Sequence, residues 1–128
     1  MTLIKITLLL TLVGSVFALS CTSAPPAPDA PLSSGGRIHG IRAQQLVSGG
    51  ALLLDVRSPQ EFASGHIEGA LNIPVQSLAK RMSELPQGKQ LVVYCRSGRR
   101  SATATKLIHQ ARPKAEVYDL GAMSSYPK

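Results

Sequence analysis

Cys95 is the residue whose surroundings most favour covalent chemistry. It follows the apolar run Leu91 to Tyr94, which is typical of a buried strand, and it precedes a stretch with the composition of a helix. A turn from strand to helix can direct several backbone N–H groups into one concavity, and the start of the helix adds partial positive charge. A thiol in such a field ionises more readily, and the thiolate is the reactive species. The sequence therefore predicts a nucleophilic sulfur in an anion-binding turn.

The residues that follow Cys95 strengthen this prediction. Three of them are arginines with permanent positive charge, and Gly98 allows a left-handed backbone and a close approach of a ligand. A free cysteine more often serves as a small buried apolar side chain, but that role has no use for three nearby arginines. We expect Cys95 to be catalytic. The expected binding site for a small oxyanion or an anionic sulfur compound consists of Arg96, Ser97, Gly98, Arg99, Arg100 and Ser101.

The rest of the chain alternates between strand-like and helix-like stretches. The expected strands are 38–41, 51–56, 70–74, 91–94 and 115–120. The expected helices are 42–47, a short one that begins at a Ser58–Glu61 capping box, 75–85 and 99–111. Because fully apolar strands are covered on both faces, this order predicts an α/β fold with an open, mostly parallel sheet and helices on both faces. Ligands bind such sheets at the carboxyl ends of strands, where Cys95 is placed.

Composition limits the classes of function. The 128 residues are 44% hydrophobic, without tryptophan, and suit one small domain with an aliphatic core. The formal net charge is +7, from 14 basic and 7 acidic residues. Outside the turn after Cys95 this charge is scattered, with no stripe of basic and aromatic residues, so we expect no nucleic-acid partner. His39 and His109 have no metal-ligating partners at a recognisable spacing, and we expect no metal or organic cofactor.

The N-terminal region predicts export. Residues 1–20 contain Lys5 and then a nearly unbroken apolar run, Ile6 to Leu19, which is too short for a membrane span and is typical of a secretory signal. Ala18-Leu19-Ser20-Cys21 resembles a bacterial lipoprotein signal, so we expect lipidation at Cys21 and a periplasmic protein on the outer membrane. Cleavage elsewhere would instead release a soluble periplasmic protein. Residues 21–36 are expected to be a proline-, serine- and glycine-rich tether.

Three motifs, in this order along the chain, resemble those of a single-domain rhodanese, and the resemblance extends over residues 37–128. They are Asp55-Val56-Arg57-Ser58-Pro59-Gln60-Glu61-Phe62, Gly65-His66-Ile67-Glu68-Gly69-Ala70-Leu71-Asn72-Ile73-Pro74 and Tyr94-Cys95-Arg96-Ser97-Gly98-Arg99-Arg100-Ser101. The resemblance implies a rhodanese-like domain with a five-stranded sheet and implies that Cys95 forms a persulfide. By the same resemblance, Asp55, Arg57 and His66 are structural rather than catalytic.

The resemblance implies a sulfurtransferase with small partners. The expected donor is thiosulfate, a persulfide or a polysulfide, and the expected acceptor is a thiol or cyanide. The expected protein is a monomer, held at the membrane through a lipid anchor on Cys21. Two other functions stay open. A sulfur carrier without turnover needs the same persulfide, whereas a phosphatase or arsenate reductase needs a loop longer by one residue, with arginine where Ser101 stands.

Overall fold

The computed structural model describes residues 35–128. The predicted signal peptide, Cys21 and the predicted tether up to residue 34 lie outside the described residues. Within 35–128, no helix is long and apolar enough to cross a membrane. The helices are α1 Gly40–Ser48, α2 Pro59–Ala63, α3 Val75–Leu78 and α4 Arg99–Ala111, with 3-10 helices at Met82–Glu84 and Met123–Ser125. The strands are β1 Leu52–Asp55, β2 Leu71–Asn72, β3 Leu91–Cys95 and β4 Val117–Ala122.

The sheet has the order β2-β1-β3-β4, and every neighbouring pair is parallel. The predicted α/β fold with a parallel sheet is therefore confirmed. β3 lies between β1 and β4, and each of its residues is buried. Cys95 is thus the last residue of an interior strand, and α4 begins four residues later at Arg99.

The prediction of five strands is wrong, because the described residues form a four-stranded sheet. The stretch 38–41, expected as the first strand, is cut short by α1, which begins at Gly40. The buried residues of α1 are Ala43 and Leu46, whose spacing of three is that of a helix face. Just before the expected strand, Arg37 forms an isolated parallel bridge with Asp119.

The end of the predicted tether is hydrogen-bonded to β4. The N–H of Gly35 donates to the Val117 carbonyl at 2.6 Å, and the Asp119 N–H donates to the Gly36 carbonyl at 3.1 Å. The Ile38 N–H then donates to the Asp119 carbonyl at 2.9 Å. Residues 35–38 are consequently held along the edge of the sheet, and Arg37 has a fixed place there.

Side chains of the strands alternate between two apolar clusters, as the period of a strand requires. One cluster joins alternate strand residues to Leu78 of α3 and to Ala104 and Ile108 of α4. The other joins the intervening strand residues to Ala43 and Leu46 of α1. The predicted helix 75–85 is divided into α3 and the 3-10 helix Met82–Glu84, while the predicted helix 99–111 is confirmed at both ends.

Candidate active site around Cys95

Cys95 is the last residue of β3, and its thiol is free and fully buried. Gly98 lies between this strand and α4 in a left-handed conformation, with φ of +94°. That conformation suits glycine and brings its backbone N–H to 3.0 Å from Sγ of Cys95. The turn therefore points a hydrogen-bond donor directly at the sulfur.

Ser101 supplies a second polar contact from the first turn of α4. Its Oγ lies 3.7 Å from Sγ of Cys95 and donates to the Gly98 carbonyl at 3.1 Å. Ser101 is itself fully buried. A hydroxyl both accepts and donates hydrogen bonds. Ser101 can therefore accept the S–H of the Cys95 thiol or turn its own proton toward the thiolate.

The pKa of the Cys95 thiol lies below its ordinary value. Burial raises this pKa, but hydrogen bonds from the Ser101 backbone and hydroxyl lower it, as do the N–H groups of Gly98 and Ser97. These hydrogen bonds together outweigh burial. Since the thiolate is the nucleophile, the turn favours the reactive form of the sulfur.

The arginines of the turn differ in their surroundings. Arg96 and Arg99 are exposed, whereas Arg100 is half-buried and bound through both guanidinium ends to Glu61. The Nη1–Oε2 and Nη2–Oε1 distances are 2.6 Å and 2.9 Å. The pKa of Arg100 is raised, mainly by its hydrogen bonds to Glu61 and to a smaller extent by the negative charge of Cys95. An incoming anion at Arg100 therefore meets a cation that is already paired.

Glu61 was not predicted as a site residue. The capping-box prediction for it is confirmed, because its carboxylate accepts the Ser58 N–H and its own N–H donates to the Ser58 hydroxyl. The same carboxylate binds Arg100, and mainly for that reason its pKa falls to about 2. Glu61 is thus a negative charge at all ordinary pH values, and it links the start of α2 to the start of α4.

A hollow of about 430 Å³ lies beside the turn and is lined by Val75, Ser97, Arg99, Arg100 and Thr103. Arg99 gives this hollow an exposed cation, whereas Arg100 is already paired with Glu61, so the hollow suits an anionic ligand near Arg99. A slightly larger hollow of about 470 Å³ lies at the amino ends of β3 and β4, where it includes Leu91 and Glu116. It is at the opposite end of β3 from Cys95, whereas the hollow of about 430 Å³ is lined by residues of the turn that follows Cys95.

Asp55 and Arg57 form a buried ion pair at the end of β1. The Asp55 carboxylate accepts the backbone N–H of Arg57 at 2.9 Å and its Nη2 at 2.6 Å. Arg57 also donates to the Gly65 carbonyl at 2.7 Å and lies 5.7 Å from the centre of the Tyr94 ring. These contacts link the end of β1 to β3 and to the loop after α2.

His66 is not among the residues that hydrogen-bond to Sγ of Cys95. Its Nδ1 is 3.0 Å from the Phe62 carbonyl, and its ring stacks on Phe62 with a centroid separation of 3.7 Å. This is a turn hydrogen bond at the end of α2. Among residues 35–128, no group of three or more His, Cys, Asp and Glu side chains could hold a metal ion.

A buried thiol with a lowered pKa, on a basic turn between a parallel strand and a helix, has the properties of a nucleophile. The family model of the Rhodanese-like domain matches residues 42–125. The chain belongs to the rhodanese-like family.

Several relatives of the chain are named as sulfurtransferases. A "Sulfurtransferase" of Allochromatium vinosum is 46% identical over 59 residues, which is 46% of this chain and 55% of that protein. The "Thiosulfate sulfurtransferase GlpE" of Ectopseudomonas mendocina is 35% identical over 89 residues, which is 70% of this chain and 81% of that protein. The chain thus spans about half the length of the first relative and most of the second.

Solved structures agree with the fold. The structure titled "Human Single Domain Sulfurtranferase TSTD1" superposes with a TM-score of 0.59 at 28% identity, covering 70% of this chain and 90% of that chain. The four-stranded parallel domain described above is therefore a rhodanese-like fold.

Proposed function

We propose that the protein is a sulfurtransferase in which Cys95 forms a persulfide and passes its outer sulfur to an acceptor. The observation that carries this proposal is the Gly98 N–H at 3.0 Å from a buried Sγ whose pKa is lowered. A thiolate and a persulfide are both anions, so the same donors would stabilise the resting site and the intermediate. Membership of the rhodanese-like family and the named sulfurtransferases among its relatives support the same chemistry.

In the first half-reaction, the Cys95 thiolate attacks the outer sulfur of thiosulfate. A bond forms between the two sulfur atoms, the bond from the outer sulfur to the sulfonate sulfur breaks, and sulfite leaves with that electron pair. The outer sulfur keeps the negative charge that it carried in thiosulfate and becomes the end of the persulfide, while the charge of the thiolate leaves with the sulfite dianion. Arg99, at the hollow beside the turn, offers an exposed cation to the donor and to the departing sulfite.

In the second half-reaction, an acceptor anion attacks the outer sulfur of the persulfide. With cyanide, a carbon–sulfur bond forms, the sulfur–sulfur bond breaks, thiocyanate leaves and the Cys95 thiolate returns. A thiolate acceptor reacts in the same sense and leaves as a persulfide. No separate general base is needed, since the lowered pKa of Cys95 already favours the ionised nucleophile.

For the cell, we propose an exported protein carried on a signal peptide, with Cys21 as its lipid anchor. The support is the residue pattern of positions 1–21. In an oxidising compartment, a thiol of low pKa is exposed to capping and over-oxidation.

The test is thiocyanate formation by the purified full-length chain, supplied with thiosulfate and cyanide. Wild type is expected to release many equivalents of thiocyanate per Cys95, and Cys95→Ser is expected to release none. Cys21→Ser is the matched control, because it removes the other cysteine of the sequence and should leave turnover unchanged. Release of a single equivalent would favour the carrier over the enzyme. Equal turnover by wild type and Cys95→Ser would refute the proposal.

A further inference from the structure

Arg37 lies outside the catalytic turn in sequence, yet its guanidinium rests against that turn. A β-carbon placed on Gly98 would lie 2.8 Å from Nη2 of Arg37, and one placed on Gly121 would lie 2.7 Å from Nη1. Contacts that short do not occur for real β-carbons. Because Gly98 and Gly121 have no β-carbon, there is space between them for the Arg37 guanidinium, and both glycines have a positive φ.

Asp119 fixes the guanidinium in this slot. Its Oδ2 accepts Nη2 of Arg37 at 3.1 Å, and its Oδ1 accepts the N–H of Gly121 at 2.8 Å. The Asp119 residue is buried, with 5% of its surface exposed. The backbone of Arg37 is held as well, through its bridge to Asp119. Both the side chain and the main chain of Arg37 are thus placed by β4.

We infer that Arg37 is a positioning residue for Cys95, which holds Gly98 so that its N–H points at Sγ. The chain of contacts is short: Asp119 orients Arg37, Arg37 supports Gly98, and the Gly98 N–H lies 3.0 Å from Sγ. The planar guanidinium also places positive charge behind the turn. The effect of Arg37 on sulfur transfer rests on the proposed function, but its effect on the ionisation of the Cys95 thiol does not.

The planar shape of the side chain matters more here than its ion pair. The Arg37 side chain is 59% exposed, and an ion pair with that much solvent contributes little by itself. A flat guanidinium, however, can contact two glycines while one of its nitrogens binds a carboxylate. A lysine ammonium is a compact point charge on a flexible stem and cannot fill the same slot. Arg37→Lys therefore separates shape from charge.

The experiment is the pH dependence of Cys95 alkylation by iodoacetamide, followed by mass spectrometry of the Cys95 peptide from the full-length chain. Arg37→Ala is expected to raise the midpoint by about 0.5 to 1 unit, which is about a three- to tenfold loss of thiolate below the midpoint. Arg37→Lys should shift it nearly as far, because it keeps the charge and loses the planar contact. The matched control is Arg81→Ala, which removes an exposed arginine paired with Glu84 within the same short segment and should leave the midpoint unchanged.

Three results would overturn the inference. They are an unchanged midpoint in Arg37→Ala, an unchanged midpoint in Arg37→Lys, and an equal shift in Arg81→Ala. If Arg37→Ala does not fold, Arg37→Lys alone decides. Alkylation needs no sulfur donor, so a shifted midpoint together with failed sulfur loading by wild type would uphold the role of Arg37 and refute the proposed function.

Discussion

Removing the carboxylate of Asp55 should destabilise the domain and leave sulfur loading intact. The substitution Asp55→Asn breaks a pair in which both residues are at least 95% buried. Breaking such a pair costs about 3 to 5 kcal/mol, mostly because the remaining charge is buried without its partner. Arg57 keeps its bond to the Gly65 carbonyl and its position near the Tyr94 ring. We therefore expect the lower end, a loss of about 3 kcal/mol in the free energy of unfolding.

This loss is large for a domain of this size. A domain of about 90 residues is stable by roughly 5 to 14 kcal/mol. With a denaturant slope of about 3 kcal/mol per molar guanidinium, the midpoint should fall by about 1 M. The assay is equilibrium unfolding in guanidinium chloride, followed by circular dichroism, with sulfur loading measured in the absence of denaturant.

Two controls make the result specific to the buried pair. The double variant Asp55→Leu with Arg57→Met removes both charges and should recover most of the lost stability. Glu84→Gln breaks an exposed pair with Arg81 and should leave the midpoint unchanged. A fall of less than about 0.3 M in Asp55→Asn would refute the reasoning about stability. Loss of sulfur loading in a folded Asp55→Asn protein would show that Asp55 takes part in the chemistry.

Three further substitutions test the turn and its partner. Glu61→Gln should destabilise the fold by about 1 kcal/mol near neutral pH. Because the pKa of Glu61 is lowered to about 2, its contribution is complete above about pH 4.5 and disappears as the pH falls to about 2, so thermal unfolding of variant and wild type should converge there. Ser101→Ala should raise the alkylation midpoint of Cys95, since the hydroxyl lowers that pKa, and an unchanged midpoint would contradict this. Gly98→Ala adds a β-carbon at φ of +94°, a backbone conformation that strains any residue with a side chain. Sulfur loading, measured by intact mass, should be mostly lost, and loading at the wild-type rate would be inconsistent with the described turn.

Local patterns predicted the parts of the site that local physics determines. The bounds of α4 follow from Gly98 before it and Arg112-Pro113 after it, and the capping box at Ser58 and Glu61 is complete within four residues. The apolar run before Cys95 placed the sulfur at the end of an interior strand. Each of these features is decided by neighbours in sequence.

Contacts between distant residues account for what the sequence did not show. Glu61 already had a local role as a cap, and nothing near it indicates a bond to Arg100, 39 positions away. Arg37 reaches Gly98 and Gly121 only because it is bridged to β4, which contains Gly121 and pairs with β3, the strand that precedes Gly98. The missing first strand has a similar cause, since four residues with two isoleucines fit a strand, and the packing of Ala43 and Leu46 favours a helix instead.

The most direct measurement is the intact mass of the full-length chain after incubation with thiosulfate, and again after addition of cyanide. Wild type should gain the mass of one sulfur atom and lose it to cyanide, Cys21→Ser should do the same, and Cys95→Ser should gain nothing. A sulfur adduct that persists in Cys95→Ser, or its absence from wild type with thiosulfate and with polysulfide donors, would contradict a persulfide on Cys95.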